Sequence, residues 1–191
     1  MRPVTVLLTA AGVPGAAALV RALRENDERD VRVVGTDMSE LAIGRHLCDA
    51  FHVVPGGEDP AFVDALLSVC ARESVDAVLP QSSYELLALA EARDRFDCAV
   101  LVASPDAVRR SNDKAKTYAM LDAIGAPGPR WRRARGKAAV DAAARELGYP
   151  DDDVTAKPLV SSGSRGFRVL SASADPLEEL LTNRPGVAPA M

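Results

Sequence analysis

The chain has 191 residues, enough for one large or two small domains, and its 48% hydrophobic content is sufficient for a packed core. A formal net charge of −4 speaks against a nucleic-acid binder, which carries a basic balance. No apolar run approaches the ~20 residues that span a bilayer, and no charged segment precedes a small-residue cleavage site, so neither a membrane span nor a secretory leader is expected.

In chain order the pattern alternates strand and helix. Val4 to Leu8 is a β-rich apolar run. After the turn Gly12-Val13-Pro14-Gly15 comes a helical stretch with Ala18, Leu19, Ala22 and Leu23 at helical spacing. Val31 to Gly35 reads as the second strand and Phe51 to Val54 as the third, closed by Pro55-Gly56-Gly57. A helix from about Pro60 to Glu73 carries Phe62, Ala65, Leu66 and Val69 on one face. Ala77 to Leu79 is the fourth strand, Tyr84 to Arg95 another helix, and Ala99 to Val102 the fifth strand. Apolar strands separated by amphipathic helices specify an α/β fold, a Rossmann-like parallel sheet covered on both faces.

The composition shifts near Ser104, which divides the chain into residues 1–103 and a small α+β segment of residues 104–191. Ser104-Pro105-Asp106 opens a short helix, and Asp113 caps another that runs to Ile124 and stops at Gly125-Ala126-Pro127. A strand is expected from Arg130 to Ala134, a helix from about Ala138 to Leu147, and strands over Val154 to Lys157 and Phe167 to Leu170. The last helix is placed at Pro176 to Leu181. The basic run Arg130-Trp131-Arg132-Arg133-Ala134-Arg135 reads as a strand with a buried Trp131 and solvated arginines, which fits the acidic total better than a nucleic-acid strip.

Two local patterns invite a nucleotide reading and fall short. Gly12-x-x-Gly15, with Asp37 ending the second strand, is only part of the dinucleotide fingerprint G-x-G-x-x-G, and Pro14 removes one N–H from the turn. It reads as a tight strand-to-helix connection. No glycine run continues into Gly-Lys-Ser/Thr, which excludes a P-loop. Cys48, Cys70 and Cys98 are widely spaced without a C-x-x-C pair, so reduced, mostly buried thiols in the cytoplasm are expected. His46 and His52 have no nearby ligand set and read as structural.

The lysines are more informative. Four stand against nineteen arginines, and an ammonium is a compact point charge that does not interchange with a planar guanidinium. Lys114 opens the helix after Asn112-Asp113. Lys157 ends a strand and is followed by Pro158 and the loop Ser161-Ser162-Gly163-Ser164-Arg165-Gly166. Successive N–H groups of such a loop form an anion-binding concavity, and its glycines tolerate φ > 0. The plain alternatives are a hairpin connection and an exposed lysine at a helix start.

The order of motifs resembles the ATP-grasp superfamily in its carbamoyl-phosphate-synthase-like branch. Asn112-Asp113-Lys114, Gly125-Ala126-Pro127, Leu147-Gly148-Tyr149-Pro150, Ala156-Lys157-Pro158 and Ser162 to Gly166 are similar to its first ATP-binding lobe. Gly35-Thr36-Asp37, Cys48 to Pro55, Asp76 to Pro80 and Glu85-Leu86 are similar to the Rossmann-like domain that precedes it. The resemblance implies ATP held between two α+β lobes and a carboxylate activated as an acylphosphate that an amine displaces. Lys114 and Lys157 would contact phosphate, and Ser161, Ser162, Gly163, Ser164, Arg165 and Gly166 would form the lid over it. Arg165 either assists there or is a solvated loop tip. After Lys157 only Asp175, Glu178 and Glu179 are carboxylates, beside the stripe Leu177, Leu180 and Leu181, so no metal site is expected within these residues.

The resemblance therefore implies a pre-ATP-grasp domain and the first part of an ATP-grasp domain, without its C-terminal lobe. The Mg²⁺ ligands and the catalytic arginine would lie outside this chain. Small-molecule carboxylate and amine substrates are implied, with no nucleic-acid or membrane partner, and homo-oligomer formation stays open. A non-catalytic Rossmann-type nucleotide-binding module is the rival reading, and a nicotinamide oxidoreductase domain a third.

Overall fold

The computed structural model describes residues 2–161 and 163–171. The chain divides into two compact units, Met1–Val108 and Arg109–Met191.

The first unit is built on five parallel strands: β1 (Val4–Leu8), β2 (Val31–Asp37), β3 (Ala50–Val53), β4 (Ala77–Leu79) and β5 (Ala99–Val100), in the spatial order β3-β2-β1-β4-β5. β1 is central, pairing with β2 from Val4↔Val31 to Leu8↔Gly35 and with β4 from Val6↔Ala77 to Leu8↔Leu79. The period-two alternation of a strand sends neighbours to opposite faces. Leu7 and Val34 join one core cluster, while Leu8 and Val33 join another. On the first face they meet Phe62, Leu66 and Val69 of α2 (Phe62–Glu73) and Leu89 of α3 (Leu86–Glu91). On the second they meet Ala16 and Val20 of α1 (Ala16–Arg24).

The parallel sheet covered on both faces is thus as expected, with shifts at the element ends. β2 runs on to Asp37, and β5 is two residues long where the sequence suggests four. The expected helix over 84–95 is broken into α3 and a 3₁₀ turn, Arg93–Arg95. Glu73, at the end of α2, accepts from Arg32 of β2 at 2.6 Å and meets His52 of β3 at 2.7 Å. His52 is therefore part of a structural ion network. Those two hydrogen bonds hold the Glu73 carboxyl below its ordinary pKa.

α4 spans Pro105–Ser111. The second unit contains α5 (Lys114–Ala123), α6 (Lys137–Leu147) and an antiparallel pair, β6 (Val154–Ala156) and β7 (Arg168–Leu170), in register Val154↔Leu170 to Ala156↔Arg168. The strand expected at Arg130 to Ala134 is absent, and residues 126–135 have no regular structure. The physical reason is local. Pro127 and Pro129 lack N–H donors. Two of the arginines also serve α6: Arg130 donates to the Leu147 carbonyl at 2.8 Å, and Arg132 pairs with Glu146. Trp131 is half-buried, lies 5.8 Å from the Tyr118 ring and donates Nε1–H to Asp122 at 2.8 Å. The helix expected at Pro176 to Leu181 lies outside the described residues. Among the described residues no helix is long and apolar enough to cross a membrane.

Phe62, at 1% exposure, is the largest fully buried side chain of the sheet's α2 face. Phe62→Ala is expected to cost about 3–5 kcal/mol of folding stability, because the cavity adds to the lost transfer energy. Urea unfolding should show a lower midpoint at an unchanged slope.

Candidate functional site

In the second unit the candidate residues converge on one cavity of about 290 Å³, lined by Lys114, Lys157, Ser161, Gly163, Ser164, Arg165 and Phe167. The start of α5 sets its geometry. Asp113 is the N-cap, in extended conformation, and its carboxylate accepts from the Ala115 and Lys116 amides at 2.9 and 3.2 Å. The Lys114 amide, freed from the helix ladder, donates to the Leu159 carbonyl at 3.0 Å. Its ammonium donates to the Ser161 carbonyl at 3.2 Å and hydroxyl at 3.1 Å. One residue thereby ties the helix start to the chain leaving β6.

Lys157 follows β6, and its Nζ lies 5.5 Å from the centroid of the Phe167 ring. A cation over an aromatic face is held by the ring quadrupole. Phe167, at the far end of the loop, was not singled out from the sequence; only its position before β7 could have pointed to it. The loop turns through left-handed backbone at Gly163 (φ 60), Ser164 (φ 58) and Gly166 (φ 72). Gly166 does not line the cavity. A Cβ there would stand 2.5 Å from Pro158 Cγ, so the glycine lets the loop fold back on Pro158. Ser162 lies outside the described residues. Among the described residues the lining carries three cations and no carboxylate, a composition suited to an anion and not to a divalent cation. Among the described residues no group of three or more His, Cys, Asp or Glu side chains could hold a metal ion.

The first unit has its own crevice, of about 340 Å³, at the carboxyl ends of β1, β2, β3 and β4. Open α/β sheets bind ligands at such a switch point. Asp37, Glu58, Asp59 and Glu85 line it, with no Lys, Arg or His among the described residues. Both Asp37 oxygens are engaged, Oδ2 accepting from the Gly12 amide at 2.8 Å and Oδ1 from the Ser39 amide at 3.0 Å. A Cβ on Gly12 would stand 2.8 Å from that carboxylate, so this glycine admits Asp37 as a brace for the turn. Such a bonded carboxylate is poorly placed to hold a ribose.

Glu85 is the buried member, 6% exposed, with the Thr9 hydroxyl donating to its Oε2. Burial pushes its carboxyl pKa up, and the Asp37 charge pushes the same way, against the Thr9 hydroxyl and the Ser82 amide. The sequence offered Glu85 only as part of a motif, because its burial comes from packing between distant segments.

Two measurements follow from this geometry. A carboxyl whose folded pKa is raised contributes stability that is present below the unfolded value of about 4.3 and lost as pH rises through the folded value. Glu85→Gln should therefore melt above the parent at pH 8 and converge with it near pH 4. A variant lower at both pH values would show that the ionised carboxylate is an anchor. Gly166→Ala should cost about 1–3 kcal/mol locally, read as faster amide exchange in the β6–β7 pair. Gly163→Ala, also at positive φ but in open space, should cost less.

Comparison with known proteins agrees with the fold. Residues 6–102 match the family described as PylC-like, N-terminal domain. The chain is 30% identical over 118 residues to the carbamoyl phosphate synthase large chain of Rubrobacter xylanophilus, covering 61% of this chain and 11% of that protein. A solved N5-carboxyaminoimidazole ribonucleotide synthetase in its ADP complex superposes with a TM-score of 0.67 at 15% identity, over 93% of this chain and 44% of that one. The biotin carboxylase domain dimer of the Hydrogenobacter thermophilus 2-oxoglutarate carboxylase, solved with MgADP, ADP and bicarbonate, gives 0.63 at 17% identity, over 94% and 39%. The chain thus spans less than half the length of each of these relatives. With about half of its residues matched, the chain belongs to the PylC-like N-terminal domain family, a pre-ATP-grasp domain of the ATP-grasp superfamily.

Proposed function

We propose that this chain is the N-terminal, ATP-binding part of an ATP-dependent carboxylate–amine ligase that activates a carboxylate as an acylphosphate. The observation that carries the reading is the cavity where Lys114, Lys157 and Arg165 meet a Ser/Gly loop, with no carboxylate among the described lining residues. Loop amides in left-handed turns and two ammonium groups suit the β- and γ-phosphates, and phosphoryl transfer is accelerated largely by neutralising charge on those oxygens. The ADP and MgADP complexes of the solved relatives support the same ligand class. In this reading the carboxylate attacks the γ-phosphorus, ADP departs, and an amine displaces phosphate from the acylphosphate.

The roles follow the local geometry. Lys114 exchanges its bonds to Ser161 for a phosphate oxygen. Lys157 leaves the face of Phe167 for another. Arg165 supplies a guanidinium from the loop. The lining residues do not fit Mg²⁺, so no step is assigned to it here. The acid-lined crevice of the first unit supports an amine substrate, since four carboxylates with no basic residue among the described lining favour a positive group. A domain boundary near residue 104, a cytoplasmic setting and homo-oligomer formation belong to the same reading, the last supported by the dimer of the biotin carboxylase domain.

Titration of the ¹⁵N-labelled chain with ATP tests this directly. Amide shifts should concentrate at Ser161, Gly163, Ser164, Arg165 and Gly166, and NADH should leave the Gly12–Gly15 turn unmoved. Lys114→Ala and Lys157→Ala should each weaken ATP binding about ten- to a hundredfold, the loss of a charge-assisted hydrogen bond of roughly 1.5–3 kcal/mol. Lys116→Ala should leave it unchanged, because two residues along a helix point about 200° apart. Loop amides silent at millimolar ATP, or saturable NADH shifts at the turn, would sink the proposal.

A further inference from the structure

Lys157 and Phe167 stand at opposite ends of the connection between β6 and β7, yet the ladder sets them face to face. Its register runs from Val154↔Leu170 to Ala156↔Arg168, so the next opposed positions beyond the last pair are 157 and 167. Alternation along the hairpin buries Val154, Arg168 and Leu170, whereas Thr155, Lys157, Phe167 and Val169 are exposed and share the other face.

The loop reinforces this placement. The Phe167 amide donates to the Ser164 carbonyl at 3.1 Å, and Gly166, in left-handed backbone, lets the chain pass close against Pro158, the residue after Lys157. The ring centroid therefore stands 5.5 Å from the Lys157 Nζ, within the range at which an aromatic face attracts a cation. Lys114 is held by the other end of the same loop, where it donates to the Ser161 carbonyl and hydroxyl. Both ammonium groups of the cavity are thus engaged by the protein itself before any anion arrives.

We propose that Phe167 is a positioning residue of the anion cavity: its ring parks the Lys157 ammonium in the ligand-free protein, and a phosphate binds by displacing that contact. This rests on the ATP-binding reading of the cavity, to which it adds a competitor built into the chain. An ammonium attracted by a ring gives up that attraction when it turns to a phosphate oxygen, so the ligand gains only the difference between the two contacts. The competition acts through Lys157 alone. Removing the aromatic face therefore tightens binding only while the lysine is present.

The test is a double-mutant cycle on the intact 191-residue chain, with ATP as the probe and titration of the loop amides as the readout. Phe167→Leu keeps apolar bulk without the aromatic face and should tighten ATP binding about two- to fivefold, the equilibrium constant of an exposed cation–π contact. Phe167→Tyr keeps the face and should restore the parental affinity. In a Lys157→Ala background Phe167→Leu should gain nothing. In the ligand-free parent the ring current should displace the Lys157 ε-methylene protons upfield, and saturating ATP should abolish the displacement. That spectrum decides the matter even if Phe167→Leu fails to fold. Equal or weaker ATP binding by folded Phe167→Leu, the same gain without Lys157, or an undisplaced Lys157 signal in the ligand-free chain would overturn the proposal. A displaced Lys157 signal with loop amides silent to ATP would instead overturn the ATP reading of the cavity, and the exchange with it.

Discussion

The second unit depends on the bond from the Lys114 amide to the Leu159 carbonyl. A helix start leaves backbone donors without helical partners, and α5 satisfies two of them with the Asp113 side chain and a third with the strand exit after β6. That third bond brings a charged side chain to the root of a loop that follows 47 residues later. The ammonium of Lys114 then has Ser161 within reach, and the cavity follows from this one join. Its cationic lining results from satisfying backbone donors as much as from the choice of residues.

The two candidate cavities carry opposite charge. Among the described residues one meets three cations, the other four carboxylates. Within the low-dielectric lip of a cleft such lining charges select ligands by sign before any shape is read. Each is also fixed by a glycine that makes room for a neighbour: Gly166 for Pro158 at the loop, Gly12 for Asp37 at the turn. In the first unit this arrangement has a cost. Glu85 is buried, and its carboxyl is retained there against desolvation with the help of Thr9 and Ser82. A buried, raised carboxyl at a sheet switch point is a frequent mark of a ligand site.

The sheet of the first unit separates two apolar layers that share its strands. Alternate residues of β1 and β2 serve different layers, so Leu7 and Leu8 are neighbours in sequence and belong to opposite cores. The polar network of Glu73, His52 and Arg32 holds α2 to two strands of this sheet. The same layering separates Cys48 from the other two thiols. A parallel sheet makes such partitions without any local signal, because crossover connections bring distant segments together on one face.

The sequence by itself determined the alternation of strand and helix in the first unit, the caps at Asp113 and Gly125, and the pattern of Lys114, Lys157 and the Ser/Gly loop. These are local properties: apolar period, turn chemistry and residue type act over a few positions. The same reasoning misplaced a strand at Arg130 to Ala134, since β propensity cannot say whether a partner strand exists or whether arginines are wanted by a helix end. Tertiary structure alone decided that Phe167 closes the cavity beside Lys157, that Asp37 spends both oxygens on backbone amides, and that Glu85 is buried. Each of these depends on segments far apart in the chain, and only folding the sheet and its helices sets the distances between them.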